Sequence, residues 1–395
     1  MSVTKGLDGV LVTESRLSRV DGLAGELTIG GFPLEELAPN AKFEEVLFLL
    51  WEDRLPTAAE LSALQQELAA LRELPGPTID ILRAAAAKSL PPMDALRMGA
   101  DTLTLADPNP TDSSPAANHS RAKAIVARVA TIVAAYWRML HGKPAMGPRS
   151  DLPHAANYLY MLRGTEAEAD EVRGLETYIN SVIDHGMNNS TFTARVIIST
   201  GSDMISAVVG AIGSLKGPLH GGAPGPALDM VFELRKRAAA SGKSLEAEAE
   251  AYVRQTVEAG GRIMGFGHRV YKVRDPRADV LGAAAEKLFK QAGDIQLNKD
   301  ARAVEQVVLR VLEEMKPGRG LKTNVEFYTA LVLHGLGFDT GLFTPTFAVG
   351  RVGGWTAQVL EQIAEARLIR PGSGYRGELN RKWVPMEKRS GSRNR

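Results

Sequence analysis

Two of the seven histidines stand among glycines, in segments able to handle an anion and exchange a proton. His268 lies in GFGHRVYKVRDPR, residues 265–277, and His220 in KGPLHGGA, residues 216–223. Imidazole changes its charge near neutral pH, and glycine in helix-rich surroundings costs stability unless a turn or a close backbone approach requires it. Gly265 and Gly267 therefore suggest backbone lying close to a ligand. Arg269, Lys272, Arg274 and Arg277 follow His268, with Pro276 stiffening the approach to Arg277. The third histidine of interest, His185 in DHGMNNSTFTAR (184–195), follows an apolar helical run and, taken alone, reads as a satisfied structural residue.

A carboxylate accompanies these imidazoles. In LKTNVEFYTALVLHGLG (321–337), an N-cap at Thr323 or Asn324 puts Glu326 about two residues into a helix. There it serves equally well as a complement to the helix dipole or as a general base, and the dipole is expected to keep it ionised. Arg351 in GRVGGWTAQVLEQ and Arg370 in LIRPGSGY each read, alone, as surface or capping arginines. Together with Arg277 they would suit a dicarboxylate, because a guanidinium fork matches a carboxylate edge and an ammonium does not.

The elements that must position these groups are helical. Apolar residues recur with a period near 3.6, as in Phe43, Val46, Leu47, Leu50 and Trp51. The same spacing returns in Leu61, Leu64, Leu68 and Leu71 behind a Thr57–Glu60 capping box, and in Val304, Val307, Val308, Val311 and Leu312 from near Asp300. Only VLVTESRL (10–17) and ELTIGG (26–31), separated by Asp21-Gly22 and Gly25, look like strands. The expected fold is all-α with a small N-terminal β element. Residues 107–120 and 147–153, rich in Pro, Ser and Asp, are expected as surface loops, and the tail 387–395 as a frayed end.

Length and composition narrow the function. A chain of 395 residues suggests two or three domains, with boundaries best placed at the glycine clusters 221–225 and 335–341. The 47 basic and 46 acidic side chains nearly cancel, which gives no reason to expect nucleic acid or membrane binding. With no cysteine there is neither thiolate nucleophile nor disulfide, the histidine spacing matches no metal site, and no bound cofactor is expected. GSGYRG (372–377) matches a dinucleotide-binding string but opens no helix, and the sequons around Asn188 mean little without a leader. The opening residues lack the signature of a secretory signal and no apolar run would span a bilayer, so a cytoplasmic protein is expected.

Taken together, the motifs GLDGVLVTESR, GGFPLEELA, DLPHAANYLYM, DHGMNNSTFTAR, GPLHGGA, GFGHRVYKVRDPRA, NVEFYTA, FAVGRVGGW and LIRPGSGY run in order over nearly the whole chain, which thereby resembles the citrate synthase family. The resemblance implies a mostly helical homodimer with a large domain from 1–221 and 338–395 and a small one at 222–337 closing over the site. It implies condensation of acetyl-CoA with oxaloacetate, or of propionyl-CoA in a 2-methylcitrate synthase; the rival from another class is a non-catalytic sensor of oxaloacetate or CoA. It further implies oxaloacetate held by His185, Arg277 and Arg351, with Arg370 from the second subunit. Glu326 is implied as base, His220 as hydrogen-bond donor to the thioester oxygen, and His268 as acid toward the oxaloacetate carbonyl. Lys272, and more weakly Arg269, is implied to contact CoA. Where the family carries Asp in an NVDFY-like motif, this chain carries Glu326, one methylene longer, and Gly372 stands where a second arginine is usual.

Overall fold

Periodic apolar spacing becomes helix almost throughout. The computed structural model describes residues 4–7, 9–220, 224–268 and 270–389. Strands β1 (Ser18–Asp21), β2 (Glu26–Ile29) and β3 (Phe32–Pro33) form one antiparallel sheet in the order β1-β2-β3. Pairing begins at Ser18, opposite Ile29, so VLVTESRL precedes the first strand instead of forming it. The Arg16 amide is drawn elsewhere, donating to the Glu361 carboxylate at 3.1 Å.

Five helices follow: α1 (Leu34–Leu37), α2 (Phe43–Glu52), α3 (Ala58–Ala70), α4 (Gly76–Ala87) and α5 (Pro92–Asp101). The expected stripe on α2 is fully buried, and α3 opens with the Thr57–Glu60 capping box. Next come α6 (Pro115–Leu140), α7 (His154–Arg163), α8 (Ala169–Val182), α9 (Asn189–Ile198) and α10 (Met204–Leu215). Pro115 occupies the first turn of α6 behind a Ser114 cap, so residues 115–120 are helix and not loop, as proline needs no N–H there. The remaining helices are α11 (Pro224–Ser241), α12 (Leu245–Glu258), α13 (Pro276–Ala292), α14 (Ile295–Met315), α15 (Val325–Gly335) and α16 (Phe343–Glu365). Helix α14 starts at Ile295 rather than near Asp300, since Leu297 and Asn298 are already buried and extend its inner face.

Helix α16 runs through the core against α2, α6, α8, α9 and α10. It approaches α8 and the residues just after it with backbone nearly touching backbone. A Cβ on Gly350 would stand 2.9 Å from the Ile179 carbonyl oxygen, and one on Gly354 only 1.9 Å from that of Ile183. Helices α11 to α15 pack chiefly on one another, with α13 and α15 also resting on α8. Two compact units result, Ser15–Leu368 and the end segments Met1–Glu14 with Ile369–Arg395. The boundary expected at 221/222 and the tail from 390 lie outside the described residues. Among the described residues no helix is long and apolar enough to cross a membrane.

Candidate active site

The site is built from two kinds of support. On the first, α8 delivers Asp184 and His185 at its end, α16 delivers Arg351, and α9 delivers Ser190. Arg351 is 2 % exposed, which corrects its expectation as a surface residue; its Nε donates to the Val182 carbonyl and its guanidinium lies 4.6 Å from the Phe347 ring centroid. Burial lowers it to about 10, with Asp184 opposing that shift and Arg277 adding to it. Asp184, wholly buried, accepts from Ser18 Oγ at 2.6 Å and Gln358 Nε2 at 3.0 Å.

His220 meets this support through Ser190. The Ser190 amide donates to Nε2 at 3.3 Å and its hydroxyl lies 2.8 Å from the same nitrogen, while Trp355 Nε1 donates to that hydroxyl at 3.1 Å. Because Nε2 accepts, this network assigns the proton of the neutral ring to Nδ1. Burial first, then the Arg351 charge, pushes His220 down to about 4, so the ring is neutral.

The second support is a pair of zipped segments, 263–277 and 321–326. Phe266 bridges Thr323, Gly267 N donates to the Lys322 carbonyl at 2.7 Å, and Asn324 N donates to that of Gly265 at 3.0 Å. Gly265 and Gly267 both have φ of 86°, a left-handed conformation that disfavours a side chain, and a Cβ on Gly265 would press on Phe327 at 3.2 Å. Within the described residues these glycines serve the zipper. Asn324 then ties two functional groups to one amide: Oδ1 caps α15 by accepting from Glu326 N at 3.0 Å, and Nδ2 donates to the Gly267 carbonyl at 2.9 Å. The cap is thus Asn324 and not Thr323.

His268 Nδ1 accepts from the amides of Val270 at 3.0 Å and Tyr271 at 3.1 Å, which assigns its proton to Nε2. Burial, then Arg277, pushes this ring down to about 4. Its centroid is 5.9 Å from that of His185, whose Nε2 is 3.1 Å from the Tyr271 hydroxyl. His185 is driven well below its ordinary value by burial, then by Arg277 and Arg351. Arg277, 3 % exposed, forks onto Asp275 with Nε at 3.0 Å and Nη2 at 2.7 Å. Burial opposes its charge, but Asp275 holds it above the usual arginine value.

Glu326 is the second residue of α15, as the cap implied. Its ionisation differs from expectation: burial pushes it up to about 7, with Arg277 pulling the other way and Asp275 adding to the rise. Desolvation outweighs the helix dipole here because the carboxylate has left water, whereas the dipole is a partial charge felt over one turn. Lys272 is exposed. Arg269 and the glycines after His220 lie outside the described residues, and Arg370 is exposed in the unit made of the end segments.

His185, His268, Arg277, Arg351 and Glu326 therefore converge, with His220 in the field of Arg351. Their neutral imidazoles and two buried guanidiniums could grip a small dianion beside a carboxylate poised near neutrality. Among the described residues no group of His, Asp or Glu is arranged to hold a metal ion.

A protein-family model described as citrate synthase, C-terminal domain, matches residues 6–372. The chain belongs to the citrate synthase family. It is 41 % identical over 390 residues to the citrate synthase of Haloferax volcanii, covering 98 % of each chain. It is 37 % identical over 379 residues to a 2-methylcitrate synthase of Mycobacterium tuberculosis, covering 96 % of this chain and 92 % of that one. Its fold matches the citrate synthase of Thermoplasma acidophilum, solved as a ternary complex with carboxymethyl coenzyme A and oxaloacetate, with a TM-score of 0.87 at 29 % identity over 98 % of this chain and all of that one.

Several supporting residues escaped sequence reading. Asp275, directly before a helix-opening proline, had a legible signal as an N-cap. Glu305 lies on the Val304–Val308 stripe, and a carboxylate there must be paired: it accepts from Thr323 Oγ1 and Tyr328 OH, each at 2.6 Å, and from Arg274 Nη1 at 2.5 Å. Ser190 and Tyr271 carried no local signal.

Proposed function

We propose that this enzyme condenses acetyl-CoA with oxaloacetate and hydrolyses the resulting citryl thioester to citrate and CoA. Oxaloacetate is gripped by His185, Arg277 and Arg351, and by Arg370 from a second copy of the chain in a homodimer. The ionised Glu326 carboxylate takes a proton from the acetyl methyl group while Nδ1–H of His220 meets the charge gathering on the thioester oxygen. The methyl carbon attacks the oxaloacetate ketone, whose oxygen receives the Nε2 proton of His268. Water then cleaves the thioester: its oxygen bonds the carbonyl carbon as the carbon–sulfur bond breaks, one of its protons restores Nε2 of His268, and the proton held by Glu326 goes to the departing CoA thiolate.

A thioester methyl is a feeble acid, so its oxygen must be stabilised as it ionises, and a preset donor of this kind contributes about 3 to 4 kcal/mol. A neutral His220 suits that task, and a base near 7 is matched to neutral operation. The observation that carries the reading is Asn324, whose one amide joins the segment of His268 to the helix of Glu326 and so fixes acid and base together. Closure of residues 222–337 over the rest would keep water out until the carbon–carbon bond has formed. Lys272, with Arg269, is assigned to CoA. The protein is taken to work in the cytoplasm.

A second reading, propionyl-CoA as substrate, draws on the likeness to the Mycobacterium tuberculosis enzyme. One methylene in an apolar pocket changes discrimination by about 1 to 3 kcal/mol, so modest changes in its walls decide between the two. Purified protein with oxaloacetate and either thioester, followed by thiol release, tests both. Faster release from acetyl-CoA is expected; preference for propionyl-CoA favours the second reading, and no release with either indicates a non-catalytic binder.

A further inference from the structure

The N-terminal sheet carries no reactive group, yet it touches the candidate site from two sides. At the start of β1, Ser18 Oγ donates to Asp184 Oδ2 at 2.6 Å and accepts from the Gly186 amide at 2.8 Å, so one hydroxyl brackets His185. At the other end of β1, the carbonyl of Gly22 accepts from the Lys272 amide at 2.8 Å. A Cβ on Gly22 would stand 2.2 Å from the Val270 carbonyl oxygen, and one on Gly25 would stand 2.7 Å from a Val273 methyl. Residues 270–273 lie between His268 and Arg277.

The turn is stiff. Asp21 Oδ1 accepts from the amides of Leu23 at 3.1 Å and Ala24 at 2.9 Å, and the Gly25 amide donates to the Asp21 carbonyl at 2.9 Å. From Ser18 to Gly22 the extended chain spans about 13 Å, at roughly 3.3 Å per residue. A short rigid rod thus joins the α8 end, which bears His185, to the loop that bears His268 and leads to Arg277.

We propose that the β1–β2 hairpin is a strut that sets the width of the oxaloacetate pocket, with Ser18 and Gly22 as its two positioning residues. Ser18 fixes His185 and Gly22 fixes the backbone of 270–272, so His185, His268 and Arg277 stand at the separation a four-carbon dicarboxylate requires. The inference rests on the assignment of those three residues to oxaloacetate.

Gly22→Ala tests it. Gly22 is not among the glycines with positive φ, so alanine does not strain the hairpin itself and acts only through the contact with Val270. Relieving 2.2 Å to an ordinary contact moves the loop by about 1 Å, a misplacement that can cost up to about a hundredfold in a positioned site. The expected result is a rise of about tenfold or more in KM and calorimetric Kd for oxaloacetate; KM for acetyl-CoA rises less, by no more than the few-fold expected for loss of the Lys272 ammonium, whose amide moves with the loop. An unchanged oxaloacetate constant, or equal rises for both substrates, overturns the strut.

Hydrogen exchange on the unaltered protein gives a second arm should the variant not fold. Oxaloacetate is expected to slow exchange at 21–26 and 270–274 together; protection of 270–274 alone overturns the proposal. Absence of oxaloacetate binding by the unaltered protein would instead remove the assignment beneath it, and the strut with it.

Discussion

The two supports of the site differ in what holds them. The α8–α16 seat is made of hydrocarbon and near-touching backbone, with Gly350 and Gly354 leaving no room for a methyl group. The zipped segments 263–277 and 321–326 are held by backbone hydrogen bonds, the Asn324 amide and the Glu305 carboxylate. Close packing tolerates little displacement, whereas hydrogen bonds at a loop can be exchanged for others at small net cost. The seat is suited to be a fixed reference, and the zipped half, which the β1–β2 hairpin ties to it, to present His268 and Glu326 beside it.

The sharpest way to break this division is to change one side chain on the zipped half. Glu326→Gln is expected to lower kcat by about a hundredfold or more with little change in oxaloacetate affinity. A fall in oxaloacetate affinity with kcat retained would place Glu326 in binding instead. Acidity offers a milder probe. With His220 and His268 near 4 and Glu326 near 7, the acid limb of kcat/KM should follow the carboxylate, falling about tenfold per pH unit below 7. A limb near 4 would point to an imidazole.

Glu305→Gln probes how far the zipper depends on one buried charge. Three donors lose their ionised acceptor, so kcat should drop by about tenfold and stability by about 1 to 3 kcal/mol, measured by steady-state kinetics and denaturant titration. Gly354→Ala makes the complementary change in the seat: it should lower stability by about 1 to 3 kcal/mol or more through overpacking. If the seat is rigid, that loss appears without a change in the acid limb. Lys272→Ala, at the exposed margin, should raise KM for acetyl-CoA a few-fold and leave kcat alone.

The smallest effect is one of linkage. The folded chain holds a proton on Glu326 up to about 7, whereas an unfolded chain releases it near 4.5. Between those values the folded state binds more protons, so stability falls as pH rises through the window. Glu326→Gln removes that dependence, and its denaturation midpoint should vary less between pH 5 and pH 8 than that of the parent.

Much of this was legible in the sequence, for identifiable reasons. The stripe from Phe43 to Trp51 and the Thr57–Glu60 cap are local patterns, and local patterns survive folding. Glu326 could be placed in the first turn of a helix because Asn324 is a capping residue, but its ionisation could not be read, since burial is a property of the assembled molecule. For the same reason Arg351 looked like a surface residue and lies in the core. VLVTESRL has strand-like composition, yet a strand needs a partner, and pairing begins one residue later, at Ser18. The partnership of Ser190 with His220 spans thirty residues and has no periodic trace.

Asn324 binds the fortunes of the proposed acid and base to one another. Because the same carboxamide secures the start of α15 and the Gly267 carbonyl, neither Glu326 nor His268 can be relocated alone. Remodelling this enzyme for bulkier thioesters must therefore carve space from the surrounding walls and leave that pair where it stands.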